Sequence, residues 1–192
     1  MIKLTKKILL ASNSPRRKEL LSGLGFTFEV CAPDVDEDHR GIAPASVSAF
    51  LAEKKARAFK QTGEDELVLA ADTVVVLEDS VLGKPADRRE AIDMLRRQSG
   101  RVHRVYTSVC LKNQDNYHTV TDVAEVVFRS LSEEEIKYYV DTFQPFDKAG
   151  AYGIQEWIGM AGVERINGSF YTIMGLPTHL VYEMLQPWLP KT

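Results

Sequence analysis

The most hydrophobic stretch of the chain, Glu66 to Leu77, reads ELVLAADTVVVL and is interrupted by one carboxylate, Asp72. An apolar run of this length predicts a strand covered on both faces, and hence the centre of a sheet. Shorter patterns surround it. Leu9-Leu10-Ala11 breaks into small polar residues and then into a predicted helix over 16–24, with Leu20, Leu21 and Leu24 on one face and Gly25 to stop it. Ser14 reads as its N-cap and Pro15 as its first residue, where a missing N–H costs nothing. Residues 26–30 alternate as a strand should. A long amphipathic helix is predicted over 46–61, with Phe50, Leu51 and Ala58 inward and Gly63 closing it.

Beyond the central run, residues 78–80 turn the chain and 81–85 bring it back. A helix over 87–98 places Ala91, Met94 and Leu95 inside. Residues 102–112 and 118–130 alternate on either side of the turn-rich Asn113-Gln114-Asp115-Asn116, which predicts a hairpin. Ser132 with Glu135 three residues on forms a capping box, opening a helix that runs to about Thr142. Asn167-Gly168 between apolar runs predicts a second hairpin, and a last helix opens near Thr178 with Leu180, Val181, Met184 and Leu185 inward. Strands and helices thus alternate in an α/β chain without linker, repeat or low-complexity segment.

Two features conflict with this pattern unless they carry chemistry. Asp72 lies in the middle of a buried strand, where a carboxylate is costly unless paired, metal-bound or opened to a cleft. Arg16, Arg17 and Lys18 fill the first turn of a helix, whose positive end favours acidic residues. A phosphate on the exposed backbone N–H groups would reverse that sign, and guanidinium forks would add bidentate hydrogen bonds. Solvated surface charges are the plain alternative. The acidic stretch 33–40 likewise reads either as a solvated loop or as a divalent-metal site beside phosphates. Lys84, between Gly83 and Pro85, has a backbone held extended and an ammonium that can be aimed, although no Walker-type loop surrounds it. In residues 145–155, glycines and small residues alternate with Asp, Lys and Gln, marking a backbone that passes close to packed chain or ligand.

Composition narrows the function. At 192 residues the chain supports one substantial core or two thin lobes sharing a sheet. A net charge of -3 argues against sequence-independent nucleic-acid binding. No segment is apolar enough to span a membrane, and the first seven residues lack the features of a secretion signal. Cys31 and Cys110 lie in apolar alternating segments and are expected as buried free thiols of a cytoplasmic protein. The four histidines lack ligand spacing, so zinc is not expected.

Six separated stretches then agree with one family. Ala11-Ser12-Asn13-Ser14-Pro15-Arg16-Arg17, Ala71-Asp72-Thr73-Val74-Val75, Gly83-Lys84-Pro85, residues 147–155 (DKAGAYGIQ), Ile166-Asn167-Gly168-Ser169 and Gly175-Leu176-Pro177 together resemble the Maf family of nucleoside triphosphate pyrophosphatases. They are most similar to its dTTP/UTP branch. The branch preferring 7-methyl-GTP has an aromatic residue where this chain has Arg16, and lacks the Gly-Ile-Gln run. The resemblance covers the chain from first strand to last helix, as one domain over residues 1–192. It implies an elongated mixed β-sheet flanked by helices, in two lobes with a central cleft, as in inosine triphosphate pyrophosphatases. It also implies a cytoplasmic enzyme that uses Mg2+ or Mn2+ and assembles as a homodimer.

By the same likeness, Asp72 matches the catalytic base and Glu37 a second catalytic carboxylate, both able to hold the metal. Ser12, Ser14, Arg16, Arg17, Lys54 and Lys84 match substrate-binding positions, and Asn13, Thr73 and Gln155 positions for base selectivity. Two other functions stay open: hydrolysis of non-canonical purine triphosphates, and a non-catalytic role in septum formation during cell division.

Overall fold

In the computed structural model, which describes residues 2–60 and 62–190, strands and helices alternate from the first element onward. They are β1 (Lys7–Leu10), α1 (Pro15–Gly23), β2 (Phe28–Val30), α2 (Val47–Arg57), β3 (Glu66–Leu77), β4 (Ser80–Leu82) and α3 (Arg88–Gln98). There follow β5 (Val102–Asn113), β6 (Asn116–Phe128), α4 (Glu133–Phe143), α5 (Trp157–Gly162), β7 (Val163–Asn167), α6 (Phe170–Met174) and α7 (Thr178–Leu185). The strands form one mixed sheet in the order β2-β1-β3-β5-β6-β7. β1 runs parallel to both β2 and β3, pairing Leu10 with Val30 and with Leu69. β4 folds back antiparallel on β3, Leu77 opposite Ser80, and β7 runs antiparallel to β6. The mixed sheet flanked by helices is the fold class expected above, with β3 in its interior.

Two compact units divide the chain. The first comprises Met1–Asp72, Thr107–Asp122 and Gly175–Thr192, the second Thr73–Tyr106 and Val123–Met174. In the first unit, Ala52 and Ala56 of α2 pack with Val68 and Ala70 of β3, Ala11 and Cys110. Small residues on both sides let the helix lie close to the sheet, and successive strand residues alternate between faces. In the second unit, α3 and α4 lie against each other, burying Ala91, Ile92 and Leu95 on one and Ile136, Tyr139 and Val140 on the other. Asp87 caps α3, and the Ser132–Glu135 capping box opens α4 as expected.

Three expectations are corrected. Helix α2 ends at Arg57, and Phe50, 38% exposed, and Ala58 face outward; Val47, Ser48, Leu51, Ala52 and Ala56 are the buried face. These residues repeat at spacings of four, so close packing on the strand outweighs the bulk of Phe50. Gln61, the expected last residue, lies outside the described residues. Asn167-Gly168 does not turn a hairpin, because the chain leaves β7 and enters α6. Gly168, at φ 122°, presses on β6 so closely that a Cβ would sit 2.9 Å from Ala124 Cα. Cys31 is exposed rather than buried; Cys110 is buried, and both are free thiols.

Candidate functional site

The turn between β1 and α1 is held together by side chains of its own motif. Ser12, nearly buried, accepts hydrogen bonds at Oγ from the Ser14 N–H (3.2 Å) and from Arg17 Nη1 (3.3 Å). Arg17 Nε donates to the carbonyl of Gly175 at 2.9 Å, tying the helix start to the segment before α7. Ser14 occupies the N-cap position and Pro15 follows it, but the Ser14 side chain makes no capping bond. The first turn contains no acidic residue. Burial pulls the Arg17 pKa below its ordinary value, while attraction to Asp72 and Glu37 works against that pull. Arg16 and Ser14 are half-buried beside it, and Asn13 is exposed.

Asp72, on β3, is 7% exposed and meets a cation that sequence reasoning did not single out. Lys55 Nζ donates to Asp72 Oδ1 at 2.6 Å and lies 2.8 Å from Glu37 Oε1. One ammonium thus joins a strand carboxylate to a carboxylate from the acidic loop. Lys54, a substrate-binding position by the resemblance, lies 3.8 Å from Asp36 and 5.7 Å over the Phe50 ring. The available signal was phase: Lys55 follows Leu51 by four and Ala52 by three, which puts it on the buried face of α2. Within the acidic loop, Arg40 engages Asp38 through both carboxylate oxygens and holds that carboxyl below its usual range. Glu37 is the residue that reaches the Lys55–Asp72 pair.

The remaining candidates lie in the second unit. Thr73 follows Asp72 in β3 and is half-buried. Lys84 is exposed, next to Gly83, whose carbonyl accepts the Gly150 N–H at 3.0 Å. Gln155 is exposed at the tip of a turn closed by the Glu156 N–H on the Gly153 carbonyl, 3.0 Å. Lys148, also not singled out beforehand, is buried against Asp147 (2.7 Å) and Glu156 (3.2 Å).

Ser12, Arg17, Glu37 and Asp72 therefore share the first unit with Lys55, and Lys84 and Gln155 share the second. A basic helix start following a parallel strand, with a carboxylate–ammonium–carboxylate group in the same unit, defines an α/β protein equipped to handle anions. Comparison with known proteins makes this specific. The family model described as Maf-like protein matches residues 7–188, and the chain belongs to that family. Curated relatives are similar over nearly their whole length. One from Porphyromonas gingivalis is 49% identical over 94% of this chain and 93% of its own. One from Bacteroides thetaiotaomicron is 51% identical over 94% and 95%. One from Flavobacterium psychrophilum is 44% identical over 92% and 91%. Each is named dTTP/UTP pyrophosphatase. Among solved structures, a HAM1 protein from Coxiella burnetii shares the fold, with a TM-score of 0.50 and 15% identity over 93% of this chain and 99% of its own.

Proposed function

We propose that this chain hydrolyses the anhydride between the α and β phosphates of dTTP and UTP, releasing the monophosphate and pyrophosphate. Family membership and the names of its relatives support the reaction class and the substrates. The observation that carries the reading is Lys55, bonded to both Asp72 and Glu37. Such a group offers a carboxylate to take a proton from water and a cation to meet developing phosphate charge.

In this reading the Asp72 carboxylate accepts the proton of the attacking water. Arg16, Arg17 and Lys55 hold phosphate oxygens, with Lys54 and Lys84 adding positive charge. Ser12 holds the Arg17 fork in place, and Ser14 offers a hydroxyl at the helix start. Asn13, Thr73 and Gln155 read the base, because amides and hydroxyls both donate and accept, and a wrong base edge leaves them unpaired.

The same two carboxylates suit a hard divalent cation, Mg2+ or Mn2+, since both reach one ammonium and so present oxygen donors to one point. Among the described residues no cluster of three or more His, Cys, Asp or Glu side chains could hold a metal, so water and phosphate oxygens would complete its shell. When bound, the cation neutralises charge on the phosphate oxygens.

Product chromatography across a panel of pyrimidine and purine triphosphates, with and without Mg2+ or Mn2+, tests the proposal. Monophosphate and pyrophosphate from dTTP and UTP are expected. Preference for a non-canonical purine triphosphate would reassign the substrate. No hydrolysis of any triphosphate, with tight binding of a protein partner, would favour the role in septum formation. No helix among the described residues is long and apolar enough to cross a membrane. We propose a homodimer as the assembly, which sedimentation equilibrium tests.

A further inference from the structure

Helix α4 carries Ile136, Tyr139 and Val140 on its buried face, so Tyr139 projects into the second unit, wholly enclosed. A buried phenol needs partners for its hydroxyl. The Tyr139 hydroxyl accepts the Gly153 N–H at 2.9 Å and donates to Glu156 Oε2. Gly153 and Glu156 are the two ends of the turn that presents Gln155, itself closed by the Glu156 N–H on the Gly153 carbonyl. One hydroxyl therefore fastens both ends of a four-residue turn. The other Glu156 oxygen lies 3.2 Å from Lys148 Nζ, which extends the fastening to the preceding loop.

Sterics complete the hold. A Cβ on Gly153 would come within 2.8 Å of Glu156 Cδ and 3.1 Å of Lys148 Cε, so glycine makes room for the carboxylate under the turn. A Cβ on Gly159 would stand 1.7 Å from the Ile154 carbonyl oxygen, so the turn rests directly on the backbone of α5. Gly153 and Ile154 are buried as a result, while Gln155 alone of the four is exposed.

We propose that Tyr139 is a positioning residue for base selectivity: by fastening Gly153 and Glu156 together it holds Gln155 in the orientation that reads the pyrimidine. This rests on the assignment of Gln155 to the base. Tyr139 acts through the turn, so its removal loosens recognition and leaves the hydrolytic step in place. Holding a recognition group in its bound orientation saves the entropy of ordering it at each binding event.

The test is steady-state kinetics with dTTP, UTP and GTP on Tyr139→Phe, Glu156→Ala and Gln155→Ala, each checked by circular dichroism. Loss of a single net hydrogen bond predicts that Tyr139→Phe raises KM for dTTP and UTP by about three- to ten-fold. The preference for dTTP over GTP in kcat/KM should fall by a similar factor, with kcat nearly unchanged. Glu156→Ala removes the same fastening from its other end and should reproduce the effect, which keeps the test open if Tyr139→Phe does not fold. Wild-type selectivity in both, alongside altered selectivity in Gln155→Ala, would overturn the role of Tyr139. A fall in kcat with KM and selectivity unchanged would overturn it as well. Wild-type selectivity in Gln155→Ala would instead remove the base assignment on which the inference rests.

Discussion

Lys55 Nζ lies 2.6 Å from Asp72 Oδ1, with the two side chains only 13% and 10% exposed. A pair this buried loses hydration on both sides, so its net stabilisation is small, whereas removing one partner leaves the other charge uncompensated. Lys55→Met should therefore destabilise the protein by about 3 kcal/mol, read from the urea midpoint. It should also lower kcat/KM for dTTP by about two to three orders of magnitude. Because the ammonium occupies the point where a divalent cation would meet Asp72 and Glu37, the same variant should bind Mn2+ more tightly in a calorimetric titration without nucleotide. Unchanged or weaker Mn2+ binding would mean that lysine and cation do not compete there.

Asp72→Asn separates chemistry from folding. The amide oxygen still accepts from Lys55, and Glu37 at 2.8 Å still neutralises the ammonium, so the protein should stay folded and lose less stability than Lys55→Met, yet a neutral amide cannot take a proton from water. General-base catalysis is worth about two to four orders of magnitude, which sets the expected loss of pyrophosphate release. Parent-like turnover by a folded Asp72→Asn protein would refute the assignment.

Arg17 donates through Nε to the Gly175 carbonyl and through Nη1 to Ser12 Oγ, so its planar fork spans two partners at fixed angles. Lysine has the charge but not the fork. Arg17→Lys should therefore resemble Arg17→Ala more than charge conservation suggests, with KM for dTTP raised by about ten-fold or more. Parent-like KM in Arg17→Lys would show that charge alone matters at this position.

What could be read from the chain beforehand followed its local rules. The interrupted run of β3 located Asp72, and Ser132 with Glu135 located the start of α4, because strand periodicity and helix capping are short-range effects. Side-chain bulk suggested Phe50 as an inward residue of α2, and nothing in that reading set Lys55 apart from the surface lysine beside it. The helix instead turns its small residues to β3, a choice set by the strand it packs on. Asn167-Gly168 misled for a similar reason: the glycine serves close approach to Ala124 of β6, which no local pattern encodes. The link from Tyr139 to Gly153 and Glu156 joins residues 14 and 17 positions apart through burial alone, and it was invisible for that reason.

His103 supplies a prediction about pH that is independent of any ligand. Its Nε2 lies 2.8 Å from the Tyr152 hydroxyl, with the Phe128 and Tyr152 rings edge-on at 5.0 and 5.3 Å. Nδ1 is buried without a hydrogen-bond partner among the described residues. Burial pulls the imidazole down to about 4 from an ordinary value of 6.5. The unfolded chain therefore binds a proton first as pH falls. Stability from this group is complete above about pH 6.5 and drains away between there and about pH 4, by on the order of 3 kcal/mol in all. That window lies above the one for Glu135, whose carboxyl Arg129 holds down at about 2, so the two losses separate along the pH axis. Urea midpoints should fall steadily from pH 7 to pH 4.5. Over the same range, the His103 imidazole proton resonances should stay at their neutral positions in the folded protein. If they titrated near pH 6.5, the His103 ring would be in contact with water and the aromatic cluster would not be closed around it.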